Sequence, residues 1–282
     1  MAGPAKAYKN LPFLNSHGAR HLRILAEYEE PRQRLKAFDV RDTIVFFGSA
    51  RARPMVVAQL ELQNAERAFQ GAEGEDAVRR YGHQVKVAKR RVRLSRYYAL
   101  GQELARRLAE WDQQRQGPRR YLVATGGGPG MMEAANRGAS EVPGARNVGL
   151  GISLPFEEQL NPYVSPELGF EFHYFFMRKY WFLYPCKAMV ILPGGFGSMD
   201  ELFETLTLRQ TGKIKHSLPT VLFGGEFWKD IINFQAMVDW GVISEADLLL
   251  FQIVDTVDEA FNFLTAALTV AEQDDPSTRN EE

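Results

Sequence analysis

Three short stretches hold residue types that could do chemistry together. PGGFGSMDE, residues 193–201, carries three glycines, a serine and two carboxylates. ATGGGPGMMEAA, residues 124–135, is a second glycine loop, and FFGSAR, residues 46–51, is a third glycine-bearing turn. Glycine permits positive φ and lets a ligand approach the main chain. A helix that starts at such a loop presents free N–H groups and a partial positive charge, which suits phosphate. Ser198 adds a hydroxyl donor at the same place. Neither rich loop ends in the Gly-Lys-Ser/Thr of a P-loop. TGGGPGMMEAANRGA also lacks the dinucleotide spacing and an acidic ribose ligand after the next strand. The expected ligand is therefore a monophosphate, rather than a nucleoside triphosphate or NAD.

Asp200, Glu201 and Glu204 follow the 193–198 loop within the first two turns of the helix it opens. The helix dipole can account for one or two of them, at about 0.3–1 kcal/mol each. An acid beside a phosphate is repelled by it, so it needs a use there, and a ribose hydroxyl or an attacking water supplies one. HYFFMRKYWF, residues 173–182, provides the opposite charge: Arg178 and Lys179 stand between aromatic runs, a costly place for cations without partners. Arginine is a poor proton donor, but its fork can hold a phosphate or polarise a leaving base. His173 reads as structural.

These residues need elements to hold them. TIVFF, YLVAT, VGLGISL, FEFHYFF, KAMVIL, PTVLF and FQIV are short apolar runs, and most are followed by an amphipathic helical pattern. Apolar strands alternating with helices indicate an α/β fold, a parallel sheet with helices on both faces. In such a sheet ligands bind beyond the carboxyl ends of the strands, where all three glycine turns fall. RHLRILAEYEE predicts a helix that stops at Pro31. Residues from about 55 to 111 read as an inserted, polar helical segment, with Val78, Tyr81, Val85, Ala88 and Val92 on one face. Its Lys86, Lys89, Arg90, Arg91, Arg93 and Arg96 surround that stripe with few aromatics among them, which favours a solvated helix over a nucleic-acid surface. The expected organisation is an N-terminal segment over 1–40, a single domain over 41–270 with its insertion, and a polar tail over 271–282.

A net charge of −1 over 282 residues gives no case for a nucleic-acid or membrane-surface partner. No apolar run approaches the ~20 residues of a membrane span, and no signal-peptide core follows the start. The single cysteine, Cys186, lies in an apolar stretch and reads as a buried thiol rather than a nucleophile. A cytoplasmic protein is expected.

PGGFGSMDE together with the upstream Arg178-Lys179 pair resembles the LONELY GUY (LOG) family, whose signature is PGGxGTxxE; Ser198 replaces the threonine. GGGPGMMEAAN looks like the family's GGGxxGxM loop. The resemblance covers roughly residues 41–240, and LPFEEQLNPYV with FEFHYFFMRK points to the longer bacterial branch. It implies a Rossmann-like fold and hydrolysis of the N-glycosidic bond of a nucleoside 5'-monophosphate (a cytokinin riboside monophosphate or an AMP-like nucleotide) to free base and ribose 5-phosphate. It implies Arg178 and Glu201 as catalytic residues, with phosphate held by Gly127, Gly128, Gly195, Gly197 and Ser198. Gly130, Met131, Lys179, Gly194, Phe196 and Asp200 belong to the same motifs and are expected along the substrate. Glu158 and Asn161 are expected to line the same pocket, and Phe175, Phe176, Tyr180 and Trp181 could house an apolar base. The resemblance further implies a homodimer or larger homo-oligomer with the site near the interface, and no metal or cofactor. The old "lysine decarboxylase" label of such proteins would need a Schiff-base lysine, for which Lys179, Lys187 and Lys213 are candidates in name only. The alternative function is a nucleotide-binding or sensing protein without turnover.

Overall fold

The computed structural model describes residues 4–116, 119–153 and 159–273. Seven strands form one all-parallel sheet: β1 (Asp42–Phe47), β2 (Tyr121–Thr125), β3 (Asn147–Ile152), β4 (Gly169–Phe172), β5 (Cys186–Ile191), β6 (Thr220–Phe223) and β7 (Gln252–Val254). Their order is β4-β3-β2-β1-β5-β6-β7. The helices are α1 (Leu11–Leu14), α2 (Arg20–Ala37), α3 (Met55–Gln70), α4 (Glu75–Gln114), α5 (Met131–Ser140), α6 (Phe175–Leu183), α7 (Phe196–Gln210), α8 (Gly225–Ile231), α9 (Phe234–Asp239) and α10 (Val257–Gln273). The α/β, Rossmann-like architecture expected from the sequence is the one present.

Strand periodicity divides the core into two layers. Ile44 and Phe46 of β1 face a cluster built with Leu104 and Leu108 of α4, Ala134 and Ala135 of α5, and Leu264 of α10. Val45 and Phe47 face the other, with Trp181 and Phe182 of α6, Leu202 of α7 and Trp228 of α8. Every strand residue of β1, β2 and β3 is buried, as a sheet covered on both faces requires. Cys186 is fully buried in β5, and burial pushes its thiol up to about 12, so it is structural.

Two local readings are corrected. The helix does not stop at Pro31: α2 runs through it to Ala37. Proline removes the N–H that would bond the Glu27 carbonyl four residues back, and the Trp181 indole Nε1 donates to that carbonyl instead, at 3.0 Å. The helical segment after β1 is two helices, broken between Gln70 and Glu75, where Gly71 and Gly74 lie. Only its outer part projects. From Ser95 onward α4 lies in the core, burying Tyr97, Tyr98, Leu104, Ala105 and Leu108.

Three of the basic residues singled out on α4 turn to their own chain. Arg91 pairs with Glu61 of α3 at 2.8 Å, and Arg93 and Arg96 with Glu226 of α8. No helix among the described residues is long and apolar enough to cross a membrane.

Candidate active site

From β1 the chain moves outward through β2, β3 and β4, then returns to the other side of β1 as β5. That reversal opens a crevice at the carboxyl ends of β1 and β5, the ligand position of open parallel sheets. A cavity of about 570 Å³ lies there, within the range of small-molecule sites. Its wall is made by the turn after β1 (Gly48 to Arg51), Gly126 after β2, the start of α7 (Gly194 to Glu201), and Arg178 of α6.

The glycines divide by what the fold asks of them. Gly130, at φ +74°, precedes α5, and a Cβ there would strike the backbone of Ser49 and Ala50. A Cβ on Gly194 would collide with Ser198. Gly195 and Gly197 differ: each has an ordinary backbone, and a Cβ on either would meet nothing within 4 Å. Packing gives no reason for glycine at these two positions, whereas close approach of a ligand to the main chain does. Both line the cavity, at the first turn of a 15-residue helix whose leading N–H groups lack intrahelical partners. The Ser198 hydroxyl beside them has no hydrogen-bond partner among the described residues.

Glu201 is the unusual group. It is only 8% exposed, it lines the cavity, and its Oε2 has no hydrogen-bond partner among the described residues. Burial pushes its carboxyl up to about 7; Lys179 pulls the other way, and Glu204 and Asp200 raise it further. A buried polar atom left unpaired costs about 1–3 kcal/mol, so the arrangement fits a group kept for a partner that arrives with substrate. Asp200 and Glu201 occupy the second turn of α7 and Glu204 the third, because the helix begins at Phe196. That distance weakens the dipole explanation for all three, since the effect fades beyond the first turn.

Arg178 and Lys179 leave α6 for different surroundings. Arg178 Nε donates to the Leu150 carbonyl at 2.7 Å and Nη2 to Gly126 O at 3.4 Å, with the guanidinium over the Phe182 ring. It reaches the cavity. Lys179 turns to α7, with Nζ 2.9 Å from Asp200 and 2.7 Å from Glu204. Burial would lower its pKa, but these two carboxylates outweigh that and raise it. Lys179 therefore ties α6 to α7 and stands outside the cavity wall, while Asp200 lies on it.

The second glycine loop is held from below. Thr125 Oγ1 donates to Asn136 Oδ1 at 2.6 Å and accepts from Gly127 N at 2.9 Å. Asn161 Nδ2 reaches the carbonyls of Gly127 and Gly128, at 3.0 and 3.1 Å, and Asn136 Oδ1 at 2.9 Å. Asn161 thus positions the loop instead of lining the cavity. Gly127 and Gly128 border a smaller hollow of about 30 Å³, with Gln159 and Leu160.

Of the other expected residues, Gly194, Gly195, Phe196, Gly197 and Ser198 line the cavity. Met131 does not: it is 1% exposed in the core, and its neighbour Met132 reaches the cavity. Gly130 serves the packing of the α5 start. Glu158 lies outside the described residues. Phe175 is on the wall, but Trp181 is buried in the core and Tyr180 stacks on Tyr184. Arg51, Met132, Phe227 and Ile231 are wall residues that the motifs did not single out. Only Arg51 had a signal, its place at the end of a glycine-bearing turn. Asn136 could have been found as a polar residue amid the small apolar ones of MMEAANRGA.

A parallel sheet with a buried acid and a bare helix start at its switch point defines a Rossmann-like protein with a candidate small-molecule site. Residues 132–264 match the family model described as "possible lysine decarboxylase", a match consistent with the LONELY GUY resemblance. The matched segment contains the Arg178-Lys179 pair and all of PGGFGSMDE. A search of the curated proteins returned no match. The residues do not fit the pyridoxal chemistry that the family description suggests: no lysine lines the cavity among the described residues. Lys179 is held by two acids, and Lys187 lies at the start of β5, facing Asp42 at 3.8 Å.

Proposed function

We propose that this chain hydrolyses the N-glycosidic bond of a nucleoside 5'-monophosphate, releasing base and ribose 5-phosphate. The observation that carries the reading is the buried Glu201 carboxyl, its Oε2 without a hydrogen-bond partner among the described residues, on the wall of a cavity whose adjacent wall is the bare first turn of α7. Phosphate binds the N–H groups and Ser198 hydroxyl at that turn. The sugar then extends toward Glu201. Cleavage of an N-riboside builds positive charge on the ribose ring, and an adjacent carboxylate stabilises it or orients the attacking water. Arg178, held by two backbone carbonyls, presents a fixed cation that favours departure of the base. Phe175, Phe227 and Ile231 give the base an apolar wall.

The test is a panel of nucleoside monophosphates incubated with the full chain, with free base followed by chromatography. Release from at least one substrate is expected, with Glu201→Gln lowering kcat by about 10²–10⁴. Near-normal turnover by that variant would refute the role of Glu201. Tight nucleotide binding without base release would leave a nucleotide sensor on this fold.

A further inference from the structure

Among the described residues, four charged side chains line the cavity: Arg51, Arg178, Asp200 and Glu201. Arg178 is committed to the Leu150 and Gly126 carbonyls, and Asp200 to Lys179. The Arg51 guanidinium makes no hydrogen bond or ion pair among the described residues; only its backbone N is engaged, donating to Ser49 Oγ at 3.1 Å. The backbone beneath it is pinned. Ser49 N donates to Pro193 O at 3.0 Å, Met131 N donates to Ser49 O at 3.0 Å, and Ala52 is fully buried. A cation without a partner among the described residues thus lines the cavity from a fixed turn between the two glycine loops.

The charges make the point sharper. A phosphate at the start of α7 approaches Asp200 and Glu201, both of which repel it. Without Arg51 the wall would hold two acids against Arg178 alone. We infer that Arg51 is the phosphate-selecting residue of this site, its guanidinium donating to the phosphate oxygens of the bound nucleotide and so distinguishing a nucleoside monophosphate from the free nucleoside. This rests on the reading of the cavity as a nucleotide site. Arg51 lies outside the segment, residues 132–264, that matches the family model.

The experiment is isothermal titration of the full chain with ribose 5-phosphate, AMP and adenosine, on the native sequence, Arg51→Met and Arg51→Lys, alongside base release. A charge-assisted fork predicts that Arg51→Met weakens ribose 5-phosphate and AMP about ten- to hundredfold and leaves adenosine unchanged. Arg51→Lys falls between, because it keeps the charge and loses the fork. Arg51 is exposed, so its truncation leaves the core intact, and an unshifted melting curve checks this. Unchanged phosphate affinity, an equal loss for adenosine, or no binding of any phosphate probe by the native chain overturns the assignment. Absent base release with Arg51-dependent phosphate binding overturns the hydrolase reading and upholds Arg51. Base release with an Arg51-independent KM does the reverse.

Discussion

In its proposed role, Glu201 sets function against stability. Its carboxyl rises from 4.5 to about 7 in the folded chain, chiefly through burial. Between those values the folded protein keeps a proton that the unfolded chain has released, so stability falls as pH climbs through the window and levels off above it. Within the window each pH unit costs at most about 1.4 kcal/mol. Glutamine cannot ionise and escapes this cost. Glu201→Gln should therefore raise the melting temperature by a few degrees more at pH 8.5 than at pH 5. Catalysis by the ionised form predicts kcat/KM rising through pH 7 and flat above. Scanning fluorimetry at the two pH values and a pH–rate profile check both. An equal thermal shift at both would show that Glu201 titrates like a solvated carboxyl.

At the scale of elements, helix crossings decide what a substitution does. In α5, Gly138 abuts α4 so closely that a Cβ would strike the Gln102 carbonyl oxygen, with the Arg106 nitrogen at 3.1 Å. Helix propensity alone would favour alanine there by up to about 1 kcal/mol. The clash is with backbone, which cannot rotate away, so overpacking of about 1–3 kcal/mol wins. Gly138→Ala should lower the melting temperature by several degrees in a thermal melt, and an unchanged or higher value would mean that the helices part easily. Contacts of this kind also mark the limit of reading the sequence. The strands were legible because a parallel sheet needs continuous apolar runs, and the glycine loops because they sit where those runs end. The Arg178-Lys179 pair was legible as two cations among aromatics, but their divergence was not. It depends on where α7 places Asp200 and Glu204, in a part of the chain not adjacent to α6. The same holds for Asn161, whose partners lie 25 to 34 residues away, and for Pro31, whose cost is met by Trp181.

At the scale of the molecule, the sheet order gathers three glycine turns at one crevice, and the α3–α4 hairpin stands apart from it. No residue from 60 to 86 is buried. The hairpin's base is closed by the Ser95 hydroxyl against Met55 Sδ, at 3.2 Å. The contacts that tie α4 to the cavity wall come from residues after 86. Arg93 and Arg96 bind Glu226 of α8, the helix that supplies Phe227 and Ile231, and Tyr97 packs against Gly224 just before it. Replacing 60–86 by a short Gly/Ser turn therefore removes no core residue, and a shorter closed loop does not add to the entropy cost of folding. The shortened chain should melt cooperatively within a few degrees of the full one and release base at a similar rate. A folded variant with base release lost would make the projecting hairpin part of the working site. A chain that no longer melts cooperatively would mean that α4 needs its solvent-exposed half to hold its buried half in the core.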